Sequence, residues 1–364
     1  MAKIDPREFI KELKPHADWG IEHIQSVEEL ERQEEEKIHP KVITDKDINE
    51  TEISLDSWNK WKESYKPRTL FKPESVVFID GRMRVHSRFI LHDRNPAIIG
   101  ETIAGGIILK GGKLFLDFSS NKPPKIMRVL TLPVQERERA KSMGLNEPIQ
   151  IPIISTNRSI ELHIVSSDTK ASESERAYSA LLETMRLLER EVVNHYFSES
   201  NHFIIKDGTL RPPDREFIKG RGPIGLIKRI HQEEIPPDFF ERFIYMLERG
   251  ERTPFFCYRI SEKHTTIRVI SYMRIAEKFP SEHPIRGIVK VELLSDENSI
   301  DNREKEEIAE ALDFVSSLLP KLTKILPIPR SPENIFPIMS LEDALSNFFL
   351  SSDVVKTSFE RWLA

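Results

Sequence analysis

Cysteine is nearly absent: Cys257 is the single one in 364 residues. One thiol excludes an intramolecular disulfide and any zinc site built on cysteine clusters. Its setting, TPFFCYRI, is largely apolar, so a small buried hydrophobe is expected there. Long apolar runs are missing too. No stretch approaches the ~18 uninterrupted apolar residues of a membrane span. The N-terminal MAKIDPREFIKELK lacks the apolar core of a secretion signal. A cytoplasmic protein without membrane attachment is the expectation. Positive charge is not in excess either: 54 Lys and Arg face 59 Asp and Glu, a formal charge of −5. Bulk electrostatic attraction to nucleic acid therefore has no support, and anions would have to be met by local basic patches. Internal repeats and low-complexity tracts are also lacking.

The length suits one large domain or two ordinary ones. Residues 1–70 are polar and helix-prone, and read as a helical N-terminal extension. Within them EELERQEEEK is a solvated charge run, and SWNKWKESYKPR interleaves Trp58, Trp61 and Tyr65 with Lys60, Lys62, Lys66 and Arg68. That mixture suits either stacking on bases or, as we favour, a helix docking its aromatics on the main domain. Residues 71–350 change texture. Strand-like runs there include SVVFIDGRMRVHSRFIL (two strands around a turn at Gly81), AGGIIL, KLFLDF after a Gly111-Gly112 turn, and IPIISTNRSIELHIVSS. A long helix at about 172–196 follows, then HFIIKD, a Gly/Pro-rich loop, a helix in PDFFERFIYMLERG, and three strands in FFCYRI, TIRVISYMRI and GIVKVELL. An amphipathic helix carries Leu312, Val315, Leu318, Leu319 and Leu322 on one face. A Pro-rich loop and a last helical segment, SLEDALSNFF, close the domain, leaving 351–364 as a tail.

Two of the strand-like runs end in Asp-Gly, at Asp80 and at Asp207. A lone Asp-Gly is usually only a turn. Two at strand ends, flanking a helix rich in carboxylates, place acids where they either repel or share a cation. Glu173, Glu175, Glu183, Glu189 and Glu191 compete for the helix position. The apolar stripe runs through Tyr178, Leu181, Leu182, Met185, Leu188, Val192 and Tyr196. Glu189 lies at the edge of that stripe, whereas Glu183 points almost opposite, beside Arg186 and Arg190. Glu189 is therefore the third acid, with Glu175 in reserve. Hard oxygen ligands of this kind hold Mg2+ or Mn2+, a pairing suited to phosphodiester hydrolysis.

The order strand–strand–strand–helix–strand, with an acid on the first strand, the helix and the later strand, resembles a ribonuclease H-like domain. In that layout the first and fourth strands lie parallel and adjacent, which would bring Asp80 beside Asp207. The expected fold class is α/β, a mixed sheet core flanked by helices. Over roughly residues 70–350 the chain further resembles the NurA family of DNA-end-processing nucleases. The pieces that carry this are FIDGRMRVHSR, MRLLEREV, IIKDGTLRP, GPIGLIKRIH, GERTPFF, VISYMRI, RGIVKVEL and PRSPENIFPIMSLEDAL, in that order.

The resemblance implies a Mn2+-dependent (or Mg2+-dependent) 5′→3′ exonuclease with single-strand endonuclease activity. It further implies a homodimer working on DNA ends with a HerA-like hexameric ring ATPase. By motif match Asp80, Glu189 and Asp207 become catalytic metal ligands. Many members carry Tyr-Pro near the C-terminus and a His eight residues later; here Phe336-Pro337 and Ala344 stand at those places. A phenyl ring neither ligates metal nor hydrogen-bonds, so Asp343 is the nearest fourth ligand, with Asn334 behind it. Arg84, Lys228, Arg274 and Arg330 are the candidate phosphate contacts. His86, His231 and His264 receive no catalytic role, although His231, three residues after Lys228, could reach the site. The alternative is a catalytically inactive relative serving as a structural or DNA-binding subunit; a third reading keeps the fold and moves the substrate to RNA.

Overall fold

The computed structural model describes residues 5–17, 48–52, 71–92, 95–116, 118, 124–153, 156–166, 173–199, 202–212, 214, 216–218, 220–228, 243–260, 265–278, 283–296, 300–323 and 334–364. In chain order the elements are α1 (Pro6–Glu12), β1 (His16–Ala17), β2 (Ile48–Thr51), β3 (Ser75–Ile90), β4 (Pro96–Lys110), β5 (Lys113–Leu116), β6 (Lys125–Thr131) and α2 (Val134–Ser142). Then come β7 (Ile149–Pro152), β8 (Ser159–Val165), α3 (Glu173–Glu199), β9 (Phe203–Asp207), β10 (Ile224–Ile227), β11 (Phe256–Arg259), β12 (Thr266–Arg274) and β13 (Ile288–Asp296). Three helices finish the chain: α4 (Asn302–Leu322), α5 (Phe336–Ser346) and α6 (Ser352–Leu363).

All described strands join one 13-stranded sheet, ordered β2-β11-β12-β13-β10-β9-β3-β4-β6-β8-β7, with β1 on β3 and β5 on β4. At its centre β6-β4-β3-β9-β10 repeats the ribonuclease H-like layout. Strand β3 is antiparallel to β4, β4 is antiparallel to β6, and β3 runs parallel to β9, as β9 does to β10. Helix α3 makes the long crossover that parallel pairing of β3 and β9 requires.

The period-2 alternation of β3 divides the core. Val76 and Phe78 pack with α4 and α5 residues Leu312, Val315, Leu341 and Leu345. Val77 and Ile79 pack on the other face with Leu188, Val192 and Tyr196 of α3. The apolar stripe read for α3 is thus the stripe it buries. Cys257 is fully buried in the first of these clusters.

The sequence reading differs from the structure at several places. SVVFIDGRMRVHSRFI is one strand, not two around a bend: Gly81 pairs in regular register with Ala104 and has no left-handed backbone. A Cβ at Gly81 would lie 2.7 Å from Glu189 Oε1 and 2.8 Å from Met185 Cγ, so glycine serves there to let α3 approach. The second Asp-Gly does turn, with Gly208 at φ +84. The segment expected as a C-terminal tail forms α6, whose Val355 and Phe359 pack with Phe9 and Phe89. Within residues 1–70, the described part gives the short α1 but also β1 and β2, which pair with β3 and β11. A buried Arg252 anchors that edge. It donates to both carboxylate oxygens of Glu52, at 2.7 and 2.9 Å, and to Asp313 of α4 at 2.7 Å. The Trp58–Arg68 segment and residues 237–242 of the helix expected over 237–250 lie outside the described residues; the described remainder, 243–250, holds a π-type turn at Phe243–Ile244 followed by further turns instead of the expected α-helix.

Candidate metal centre

Parallel register sets the first two acids side by side. Ile79 pairs with Lys206, which brings the next residues, Asp80 and Asp207, level with each other. Asp207 ends β9, and its partner in β10 is Leu226, so Lys228 two residues on shares its face. Lys228 Nζ donates to Asp207 Oδ2 at 2.7 Å. Asp80 is 7% exposed, and its Oδ1 accepts from the Gly81 backbone N–H at 2.8 Å.

The third acid in this group comes from α5. Ile338, Leu341 and Leu345 bury one face of that helix, and Glu342 lies within the same stripe at the i+4 position from Ile338. The sheet accepts the helix because Gly105, opposite Asp80 in register, has no side chain; a Cβ there would come within 3.0 Å of Leu345 Cδ2. Carboxylate oxygens of Asp80, Asp207 and Glu342 consequently lie within 4.8 Å of one another.

Three carboxylates with one lysine leave the group short of positive charge. Burial, first, and then the charges of Asp207 and Glu342 hold the Asp80 carboxyl well above its usual range, while Lys228 opposes them. Burial likewise raises Glu342, against the pull of Lys228. Burial would lower Lys228, but Asp207 and Asp80 outweigh it and push its ammonium upward. A hard divalent cation would relieve the same imbalance. The donor set is all oxygen, which fits Mg2+ or Mn2+ rather than a metal that seeks thiolate or imidazole.

Glu189 is adjacent to this group but outside it. Its carboxylate sits against Gly81 on the α3 face of the sheet and is 3.0 Å from Lys206 Nζ, both side chains being buried. Its charge reaches Asp80 only as the smallest of the influences on that carboxyl. Glu183 is half-buried and engaged elsewhere, and the side chain of Glu175 lies outside the described residues.

The remaining sequence candidates spread out. Asp343 is exposed on α5, one residue past the inward Glu342. Arg84 donates to the Leu350 carbonyl at 3.4 Å and stacks over Phe349. Arg274 is buried, and its guanidinium donates to the carbonyls of Leu247, Arg286 and Pro284 rather than facing the acids. Arg330, with His231 and His264, lies outside the described residues. His86 is buried with Glu101, 3.2 Å away, and contacts Ser352 Oγ at 3.0 Å.

Sequence reasoning missed Glu342 of this group and passed over the nearby Arg82, whose charge acts on Glu342; both left a signal. Glu342 occupies one place of the Ile338–Leu341–Glu342–Leu345 stripe, where a polar residue among apolar ones marks an inward-facing group. Arg82 follows Asp80 by two positions on a strand, which puts both on one face.

No described helix is long and apolar enough to cross a membrane. No protein-family model matches the chain, and no curated protein matches it significantly. Among solved structures the chain is similar to the crystal structure of the NurA nuclease from Sulfolobus solfataricus. The two share 9% identity with a TM-score of 0.43, over 92% of this chain and 94% of that one.

Proposed function

We propose that this protein is a divalent-metal-dependent nuclease that cleaves DNA at single strands or ends. The observation that supports it best is the meeting of Asp80, Asp207 and Glu342 oxygens within 4.8 Å beside Lys228. When bound, Mn2+ or Mg2+ would supply Lewis-acid activation for an in-line phosphodiester displacement. Asp80, Asp207 and Glu342 would hold it. The Gly81 N–H orients the Asp80 carboxylate, and Lys228 fixes that of Asp207 while keeping a positive charge at the place where phosphate would arrive. The motif resemblance extends the proposal to a homodimer fed by a HerA-like hexameric ATPase.

A second reading, an inactive DNA-binding or structural subunit, draws on one feature: Glu189 is held by Lys206 instead of facing the other acids. The two separate in one assay. Labelled single-stranded DNA and RNA of matched sequence are incubated with the protein and Mn2+ or Mg2+, beside Asp80→Asn and Asp207→Asn. Cleavage of DNA that falls at least about 100-fold in both variants supports the nuclease, since even outer-shell losses at metal sites cost ~10–100-fold. Wild-type protein that takes up metal but leaves DNA intact supports the second reading. Equal or better cleavage of RNA moves the substrate class.

A further inference from the structure

Among the described residues, β3 and the end of β10 bring Arg82, Arg84 and Lys228 to the region around the acids, and these three are not equivalent. Lys228 is committed to Asp207. Arg84 is tied to the Leu350 carbonyl and to the Phe349 ring. Arg82 lies on β3 between Asp80 and Arg84. Register along β3 is regular from Ser75 through Val85, with Arg82 opposite Ile103 and Arg84 opposite Glu101. Asp80, Arg82 and Arg84 therefore project from the same face. Arg82 is half-buried, close enough for its charge to act on the Glu342 carboxylate, yet among the described residues it makes no hydrogen bond or ion pair.

A guanidinium in that position is poorly explained by stability. It loses rotamer freedom beside the protein surface and gains in return only a through-space attraction to Glu342, with no hydrogen bond among the described residues. Its five donors form a planar fork suited to two oxygens of one phosphate. Once a cation takes up the charge of Glu342, the anion that Arg82 feels is neutralised, and the fork is left to the next anion that arrives.

We infer that Arg82 grips a backbone phosphate of the bound strand next to the scissile one, as a substrate-positioning contact that reads no base. This inference rests on the nuclease reading above. Contact to phosphate alone predicts grip without sequence preference. It also predicts that Arg82 contributes to affinity rather than to the chemical step.

The test compares wild type with Arg82→Gln and Arg82→Lys in Mn2+, using a labelled single-stranded oligonucleotide of mixed sequence. Three quantities are read: kcat and KM, the slope of log affinity against log salt, and Mn2+ affinity by calorimetry. Arg82→Gln should raise KM about 10-fold, a typical consequence of one lost charge-assisted contact, with kcat within about 3-fold. The salt slope should shrink by about 0.7, the release expected for one phosphate on a single strand. Arg82→Lys should restore the slope but only part of the affinity, because it keeps the charge and loses the fork. Mn2+ affinity should stay the same or tighten, since a nearby cation has been removed. If wild type cleaves and Arg82→Gln matches it in KM and slope, the assignment of Arg82 is overturned while the nuclease reading stands. A fall in Mn2+ affinity that accounts for the KM change also overturns it, placing Arg82 as a support for Glu342. Wild type that neither takes up Mn2+ nor cleaves overturns the nuclease reading, and this assignment with it.

Discussion

The backbone N–H of Leu350 donates to the buried carboxylate of Glu101 at 2.9 Å, and this bond ties the turn between α5 and α6 to the sheet. The same carboxylate oxygen faces His86 Nε2, and His86 in turn meets Ser352 at the start of α6. The other oxygen lies 2.7 Å from an Arg128 nitrogen, an ion pair without good hydrogen-bond alignment. Arg84 adds its contacts to Leu350 and Phe349. Four side chains thus hold the short turn that follows the helix bearing Glu342.

Glu101→Ala should therefore act in two ways. Leaving His86, Arg128 and the Leu350 N–H without their shared acceptor should cost about 3–5 kcal/mol of stability, the range for a broken buried pair. Denaturant unfolding measures it. In the folded remainder, Mn2+ affinity should also fall, because α5 loses its anchor. Burial disfavours the Glu101 carboxylate, but hydrogen bonding from His86, the Arg128 charge and the Leu350 N–H outweigh it and hold its pKa below the usual range. Its stabilisation is accordingly present above the unfolded value and lost as pH falls through the lower folded value.

Asp80 carries the opposite sign. Its folded carboxyl binds a proton more tightly than the unfolded one, chiefly through burial and then through Asp207 and Glu342. The contribution to stability is full below the unfolded pKa and disappears as pH rises through the raised folded value. Melting of the metal-free protein across that window should show a decline with rising pH. Added Mn2+ should reverse it, and Asp80→Asn should flatten both effects. A metal-free melting point that ignores this substitution at every pH would count against the electrostatic account.

Glu342 and Asp343 give a paired comparison. Glu342→Gln should lower Mn2+ affinity at least about 10-fold, the low end of what even outer-shell partners contribute. Asp343→Asn, one residue on and exposed, should leave calorimetric Mn2+ binding close to wild type. Equal losses in both would remove the distinction drawn from the helix face.

The two Asp-Gly glycines should also respond differently to alanine. Gly81→Ala drives a methyl into Glu189 and Met185 of a packed helix, and overpacking of this kind costs about 1–3 kcal/mol. Gly208→Ala meets nothing within 4 Å, and its cost of about 1–2 kcal/mol comes from the left-handed backbone alone. Asparagine, which tolerates that conformation, should recover part of the loss at 208 and none at 81.

The central sheet was legible in the sequence because alternation, turn glycines and the α3 stripe each follow short-range rules. Asp80 and Asp207 were legible for the same reason: each sits at a place where an apolar run meets a charge. Glu342 was not. Choosing it over Asp343 depends on which way α5 rolls on the sheet, and that roll is set by Gly105 and the Glu101 anchor, more than 200 residues away in sequence. The continuous β3 escaped because Asp-Gly is written identically for a turn and for a tight helix–sheet approach. Arg274 looked like a phosphate ligand because a strand ending in arginine does not disclose the carbonyls that surround it.

Strand β2 meets its only described neighbour, β11, across most of the chain, and the Glu52–Arg252 pair that locks it spans 200 residues. On a ribosome releasing the chain from its N-terminus, the described partner of that strand emerges only about 200 residues after it. Closing so large a loop carries an entropy penalty that must be met before the contact returns anything. The sheet therefore acquires this edge late, after the strands around Asp80 and Asp207 have neighbours to pair with. The pairing of β3 with β9, which sets Asp80 beside Asp207, closes a shorter loop than this edge does, whereas Glu342 on α5 reaches the same acids only after β11 has been made.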